Sequence, residues 1–211
     1  MIDPGPALPG HVEAVLAQLD ARGGAGAILL THGHRDHAEA APIIRERTGA
    51  PVAAIGPGAD LALADGDAIG PLVALATPGH AADHAAFLLG SVCFTGDLVL
   101  GSGSVVISPE PGSLAAYMAS LARLRELNLE LIAPGHGPFV HDPTAKLDEY
   151  IARRLERERQ VLEALGEGRH DHDELLDRVY PGISAELRGG AAATLAATLE
   201  KLAAEGRVPQ R

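Results

Sequence analysis

The sequence predicts an α/β layered domain over residues 1–140, followed by a small all-helical domain over residues 141–211. Three observations carry this reading. Short unbroken apolar runs alternate with segments whose apolar residues recur at helical spacing. Polar clusters of His, Asp, Thr and Gly stand at the ends of those runs. After Val140 the composition shifts to long charged segments of helical period.

The elements follow in order. Asp3 to Gly10 is rich in Pro and Gly and reads as a turn. From His11, the positions Val12, Val15, Leu16 and Leu19 fall at i, i+3, i+4 and i+7, one face of a helix that Gly23-Gly24 stops. Ala27–Leu30 is a continuous apolar run, short enough for a strand buried on both faces. Pro42 fits the first position of a short helix closing near Gly49. Pro51–Ile55 and Leu72–Thr77 read as strands. Ala85–Leu89 and Val92–Thr95 flank Gly90-Ser91, a two-residue hairpin signal. Ser113 starts a helix carrying Leu114, Met118, Leu121 and Leu124, and Leu131–Ala133 is a last short strand ended by Pro134-Gly135.

In the second domain, Asp142-Pro143 caps a helix that runs through Leu165, with Arg153, Arg154, Arg157 and Arg159 crowding its exposed side. A second helix carries Leu175, Leu176 and Val179, and a third carries Leu195, Leu199 and Leu202. The size suits a helix-turn-helix module.

Composition excludes several classes of function. Hydrophobic residues make up 46% of the 211, enough for a packed core, while aromatics are 3%, so that core is built from Ala, Val, Leu and Ile. Seventeen Lys and Arg against 28 Asp and Glu give a charge of -11, a poor match for wrapping duplex nucleic acid. The single cysteine, Cys93, excludes an internal disulfide framework and a Cys-rich zinc site, and its apolar neighbours mark it as a small buried hydrophobe. No apolar run approaches the roughly 20 residues of a membrane span, and Met1–Pro6 lacks the pattern of a signal peptide. The expectation is a soluble, reduced, cytoplasmic protein.

The ten histidines carry the chemistry. Thr31-His-Gly-His-Arg-Asp-His37 holds three imidazoles and a carboxylate at the end of a buried strand. In an extended segment His32 and His34 point to the same side, while Asp36 and His37 project differently and serve a second point in space. Three further clusters each follow an apolar run: Thr77-Pro-Gly-His80, Thr95-Gly-Asp97 and Pro134-Gly-His-Gly137. Loops at strand ends of α/β sheets converge. Together the four clusters supply His32, His34, Asp36, His37, His80, Asp97 and His136. Imidazole and carboxylate are ligands expected for zinc, with manganese or iron as alternatives, and seven of them suit two adjacent metals better than one tetrahedral ion.

These motifs, in this order, resemble the metallo-β-lactamase-fold hydrolases along nearly the whole chain. Thr77-Pro-Gly-His-Ala-Ala-Asp-His84, the Gly101–Ser104 loop and the helical C-terminal part look most like the lactamase-beta-like 2 subgroup. The resemblance implies an αββα sandwich with the metal site at one edge of its two sheets, and a winged-helix-like domain behind it. It implies that His32, His34 and His80 hold a first metal, that Asp36, His37 and His136 hold a second, and that Asp97 bridges the two zinc ions. Asp36 would also act in catalysis, orienting a hydroxide nucleophile or taking its proton. By resemblance to the subgroup, the implied substrate is single-stranded RNA, cut by an endoribonuclease-like reaction. A thioester hydrolase of the glyoxalase II type is the alternative. β-Lactam hydrolysis is disfavoured by the missing export signal. A non-enzymatic nucleic-acid-binding module would show broken ligand motifs and a basic second domain.

Supporting roles are less specific. Asp3 matches a family position that supports the metal loops, and reads equally as a turn-starting residue. His84 reads as a satisfied structural histidine or as the orienter of a ligand. His11, His141, His170 and His172 read as surface histidines, and Ser102 and Ser104 as substrate-mouth or plain loop residues. The four arginines alternate with Glu156 and Glu158, which favours a salt-bridged helix face over a phosphate track.

Two departures from the family pattern stand out. After Gly206 only Arg-Val-Pro-Gln-Arg remains, too little for the hairpin of a winged helix. The strands that normally precede Ile2-Asp-Pro-Gly5 are missing, which predicts an early end to one sheet, an apolar strip around Ala27–Leu30 exposed to solvent, lower stability, and self-association into a homodimer.

Overall fold

The computed structural model describes residues 1–110 and 112–208. The first layer is α1 (Pro9–Ala21), α2 (Arg35–Ala38) and α3 (Ala41–Thr48). A three-stranded parallel sheet lies under it, in the order β1 (Ile28–Leu29), β2 (Val52–Ile55), β3 (Leu61–Leu63). The second sheet has the order β4 (Ala68–Ile69), β5 (Leu72–Ala76), β6 (Ala85–Leu89), β7 (Val92–Gly96), β8 (Leu131–Pro134), antiparallel up to β7 and parallel between β7 and β8. Its outer face is covered by α4 (Leu114–Arg125) and α5 (Pro143–Gly166), and the chain continues through α6 (His172–Val179) and α7 (Ala185–Ala204).

The layering follows from side-chain alternation. Ala74, Ala85 and Phe87 face inward against Leu29 and Ala53 of the first sheet. Their neighbours Leu75 and Ala86 face outward against Tyr117, Leu121 and Leu147 of α4 and α5. Val12 and Leu16 of α1 pack with Ile28, Ala41 and Ile44 on the far side of the first sheet. This is the expected αββα sandwich. Helices α5 to α7 enclose a core of their own, built from Val161, Leu175, Leu176, Val179, Leu195 and Leu202.

The hairpin at Gly90-Ser91, the N-cap of Ser113 on Ala116 and the cap of Asp142 on Ala145 stand where the sequence places them. Cys93 is fully buried, and burial pushes its thiol up to about 12. Among the described residues no helix is long and apolar enough to cross a membrane.

Two expectations are corrected. Met1–Asp3 runs beside β1, with Ile2 bridged to Leu29 and the Leu29 N–H donated to the Met1 carbonyl, so Ile28 and Leu29 are buried rather than exposed. The apolar surface at that end lies instead at Leu72, Leu89, Phe94 and Phe139, which with Met1 and Ile2 line a shallow cleft. The second correction concerns Arg154, which the sequence puts on the exposed side of α5. It is 6% exposed, donates to the Val105 carbonyl and stacks on Tyr117. The reason is helical phase: Leu147, Tyr150, Arg154, Glu158 and Val161 are all buried along one side of α5. Residues 209–211, the last three of the five-residue tail on which the incomplete hairpin is argued, lie outside the described residues.

Candidate metal centre

The strand ends deliver all seven predicted side chains to one place. β1 leads into Thr31–His34, α2 carries Asp36 and His37, and β7 ends at Gly96 beside Asp97. The loop after β5 carries His80 and the loop after β8 carries His136. Within each of the triples His32–His34–His80, His32–His37–Asp97 and Asp36–His37–His136, the ligand atoms lie within 4.8 Å of one another.

The first triple is a tripod of nitrogens. His34 Nδ1 lies 2.9 Å from His32 Nε2 and 3.0 Å from His80 Nε2. His32 Nδ1–H donates to Thr31 Oγ1 at 3.0 Å, and His80 Nδ1–H donates to the Val106 carbonyl at 3.0 Å. Each ring therefore turns a bare Nε2 toward His34, whose single Nδ1 can satisfy only one of them. Burial, and then the neighbouring imidazoles, push His32 down to about 3, so its ring is neutral. A cation is the group that satisfies three converging lone pairs.

The second triple mixes nitrogen and oxygen. His136 Nε2 lies 3.2 Å from His37 Nε2 and 3.1 Å from Asp36 Oδ2. Asp97 stands between the triples, with Oδ1 3.4 Å from His37 Nε2 and Oδ2 3.8 Å from His80 Nε2. Asp97 Oδ1 is buried and makes no hydrogen bond among the described residues. Burial alone would lower His37, yet the Asp3 and Asp97 carboxylates beside it raise it to about 10. Burial alone would raise Asp97, yet His37 and the other imidazoles hold it down at about 2. The pocket between Asp3 and Asp97 thus favours positive charge, and its donors fit a pair of divalent ions.

Hydrogen bonds fix the ligands from behind. Asp3 accepts from the Thr31 N–H and the Thr31 hydroxyl, each at 2.7 Å, and from His37 Nδ1–H at 2.8 Å. Of the two readings of Asp3, the structure supports the orienting one. His84 is fully buried; Asp97 N–H donates to its Nε2 at 3.2 Å, and its Nδ1–H donates to Thr77 Oγ1 at 2.8 Å. Burial, and then His80, push His84 down to about 3, which matches the neutral tautomer those partners require. It is both satisfied and an orienter of Asp97. Thr31 and Thr77 are supports that the sequence reading missed. The signal was present, since a Thr heads each of those motifs.

The remaining candidates lie elsewhere. His141 and His170 are exposed and His172 is half-buried on α6. His11, at the start of α1, is half-buried and bonded through Nε2 to the Pro4 carbonyl of the N-terminal turn at 2.7 Å. Ser102 and Ser104 are exposed on the loop after Asp97. Gly135 leaves room for the centre: a Cβ there would stand 2.7 Å from His37 Cε1 and 2.8 Å from Asp97 Oδ1.

Comparison with known proteins bears on the family and the fold. Residues 57–136 match the description "Metallo-beta-lactamase superfamily", and residues 172–211 match "Beta-lactamase associated winged helix domain". The lactamase-like protein adaB of Aspergillus niger is 36% identical over 233 residues, covering 99% of this chain and 72% of that protein. The chain belongs to the metallo-beta-lactamase superfamily. It is a hydrolase of that superfamily. An atrochrysone carboxyl ACP thioesterase of Aspergillus chevalieri is 36% identical over 182 residues, covering 80% of this chain and 57% of that protein. Among solved structures, the metallo-beta-lactamase family protein TTHA1429 from Thermus thermophilus superposes with a TM-score of 0.78 at 26% identity, covering 97% of this chain and 84% of that one.

Proposed function

We propose that this superfamily hydrolase cleaves an acyl thioester, with two metal ions held by the seven side chains above. One observation favours a substrate without a phosphodiester backbone. The cationic side chains among the described residues of α4 to α7 face groups of the chain itself. Arg153 and Arg159 pair with Glu149, Glu156 and Glu163. Arg154 is buried on the Val105 carbonyl, and Arg157 bonds Gln160 and the Val179 carbonyl while stacking on Tyr180. Lys201 and Arg207 pair with Glu158, Arg123 with Asp65, Arg125 with Asp148 and Arg188 with Asp177. In a chain of charge -11, these helices make a poor phosphate track for RNA, because their cations are largely offset by carboxylates of the chain itself. A neutral thioester needs none, and a relative covering most of this chain is named a thioesterase.

His32, His34 and His80 would hold one ion; Asp36, His37 and His136 would hold the other; Asp97 would lie between them. When bound, such ions supply an acidified water and polarise a carbonyl oxygen. The donor set of imidazole and carboxylate admits zinc, manganese and iron alike. Asp36 is the carboxylate open to solvent beside the site; with its Oδ2 beside His136 as the ligand atom, its other oxygen would take the proton released when water adds to the acyl carbon. The C–S bond then breaks, and the departing thiolate would take back the proton held on Asp36. Asp3 and His84 hold His37 and Asp97 in place throughout.

The test is a parallel assay of metal-loaded protein on an acyl-pantetheine thioester, S-lactoylglutathione, single-stranded RNA and a β-lactam. Thioester turnover with intact RNA is expected. RNA cleavage without thioester turnover overturns the proposal.

A further inference from the structure

The loop Gly101–Ser108 connects the metal centre to the second domain. On the side of the centre, the Val106 carbonyl accepts His80 Nδ1–H at 3.0 Å. On the other side, the Ile107 N–H donates to Thr194 Oγ1 of α7 at 3.2 Å. These two groups belong to one peptide unit. In a trans peptide the C=O and N–H point in opposite directions within a rigid plane. Fixing the N–H on Thr194 therefore aims the carbonyl at His80.

Neighbouring contacts hold the adjoining stretch of the loop. Arg154 of α5 donates to the Val105 carbonyl, and Val105 and Ile107 are buried. Tyr150 of α5 bonds Leu100 N–H at 3.1 Å and the Gly103 carbonyl at 3.3 Å. Gly190, one turn before Thr194, lets α7 approach: a Cβ there would stand 2.8 Å from Val106 Cγ2. Thr194 itself is 5% exposed, so no water substitutes readily for its oxygen.

We infer that Thr194 is a positioning residue for His80, through which the C-terminal helices set the affinity of the His32–His34–His80 site. The inference rests on the metal reading above but not on the choice of substrate. Removing the Thr194 oxygen frees the peptide plane to rotate. His80 then loses the acceptor that keeps its proton on Nδ1 and its Nε2 toward the tripod. The second site, on Asp36, His37 and His136, does not lean on this peptide and keeps its affinity.

The experiment is a cobalt(II) titration of metal-free full-length protein against a competing chelator, followed by the visible absorption of the bound ion. In Thr194→Val one of the two sites should weaken by about 10-fold or more, the scale of lost ligand-orienting bonds, with the other unchanged. Thr194→Ser should restore the parent affinities. Thr198→Val, a matching change on the same helix whose hydroxyl bonds the Thr194 carbonyl, should leave both intact. If Thr194→Val does not fold, Thr194→Ala removes the same oxygen without adding bulk and is read in the same way. Parent affinities at both sites, or equal losses at both, overturn the inference. A parent protein that takes up no cobalt overturns the metal reading as well. Failure of thioester turnover with normal cobalt uptake overturns only the substrate.

Discussion

Asp3 and His37 stand 34 positions apart in the chain and are joined by a hydrogen bond of 2.8 Å from the imidazole Nδ1–H to the carboxylate. The same carboxylate holds the Thr31 N–H and hydroxyl, so one side chain ties the N-terminal segment to both ends of the first histidine cluster. Asp3 does so at φ +45°, a left-handed conformation that Asp and Asn tolerate better than most residues.

Asp3→Asn keeps that backbone and removes the charge. It should lower affinity for the ion on His37 by about 10–100-fold, as expected for an outer partner of a metal-bound histidine. Calorimetric metal titration of the variant checks this.

Asp36→Ala removes a metal ligand and the solvent-facing proton acceptor together. We expect about 10³-fold or more loss of hydrolysis, against about 10–100-fold for His84→Ala, which only supports Asp97. Equal losses in steady-state assays would contradict the roles assigned to the two residues.

Gly135→Ala tests crowding without deleting a ligand. Its methyl would meet His37 Cε1 and Asp97 Oδ1, both part of the centre. Metal content measured by elemental analysis should fall below that of the parent while the circular dichroism spectrum is retained.

Chelator-treated protein should be most stable near pH 6.5. His32 and His84, held near 3 when folded, contribute stability above the ordinary histidine value of about 6.5, and it is lost as pH falls from there toward 3. His37, held near 10, contributes stability below 6.5 that is lost as pH rises toward 10. Urea midpoints at pH 4.5, 6.5 and 9 in the presence of chelator should pass through a maximum.

Arg154→Ala leaves the buried Val105 carbonyl unpaired and should cost about 1–3 kcal/mol. Arg153→Ala and Arg159→Ala remove exposed, solvent-screened pairs and should leave stability close to that of the parent. Denaturant melts of the three variants separate these outcomes.

Much of the centre was legible because its ligands are local in sequence. His32, His34, Asp36 and His37 sit within six positions, and each remaining ligand follows its own apolar run. The αββα layers were legible in the family resemblance and in the alternation of strands such as Leu72–Ala76. Strands β3 and β4 were not: Leu61–Leu63 is largely exposed and Ala68-Ile69 has only two residues, so neither shows a buried period. Arg154 was misplaced because charge outweighed phase, although its spacing from Leu147 and Tyr150 puts it on their face. The partners of His80 were out of reach. Val106 contributes a backbone carbonyl, and Thr194 lies 87 positions from the Ile107 amide it holds, so no local pattern records either.

The central claim is a two-ion centre built from all seven side chains. Elemental analysis of the reconstituted, dialysed protein tests it most directly. The account predicts close to two divalent ions per chain, falling toward one in His136→Ala. One ion or none in the parent protein would contradict it.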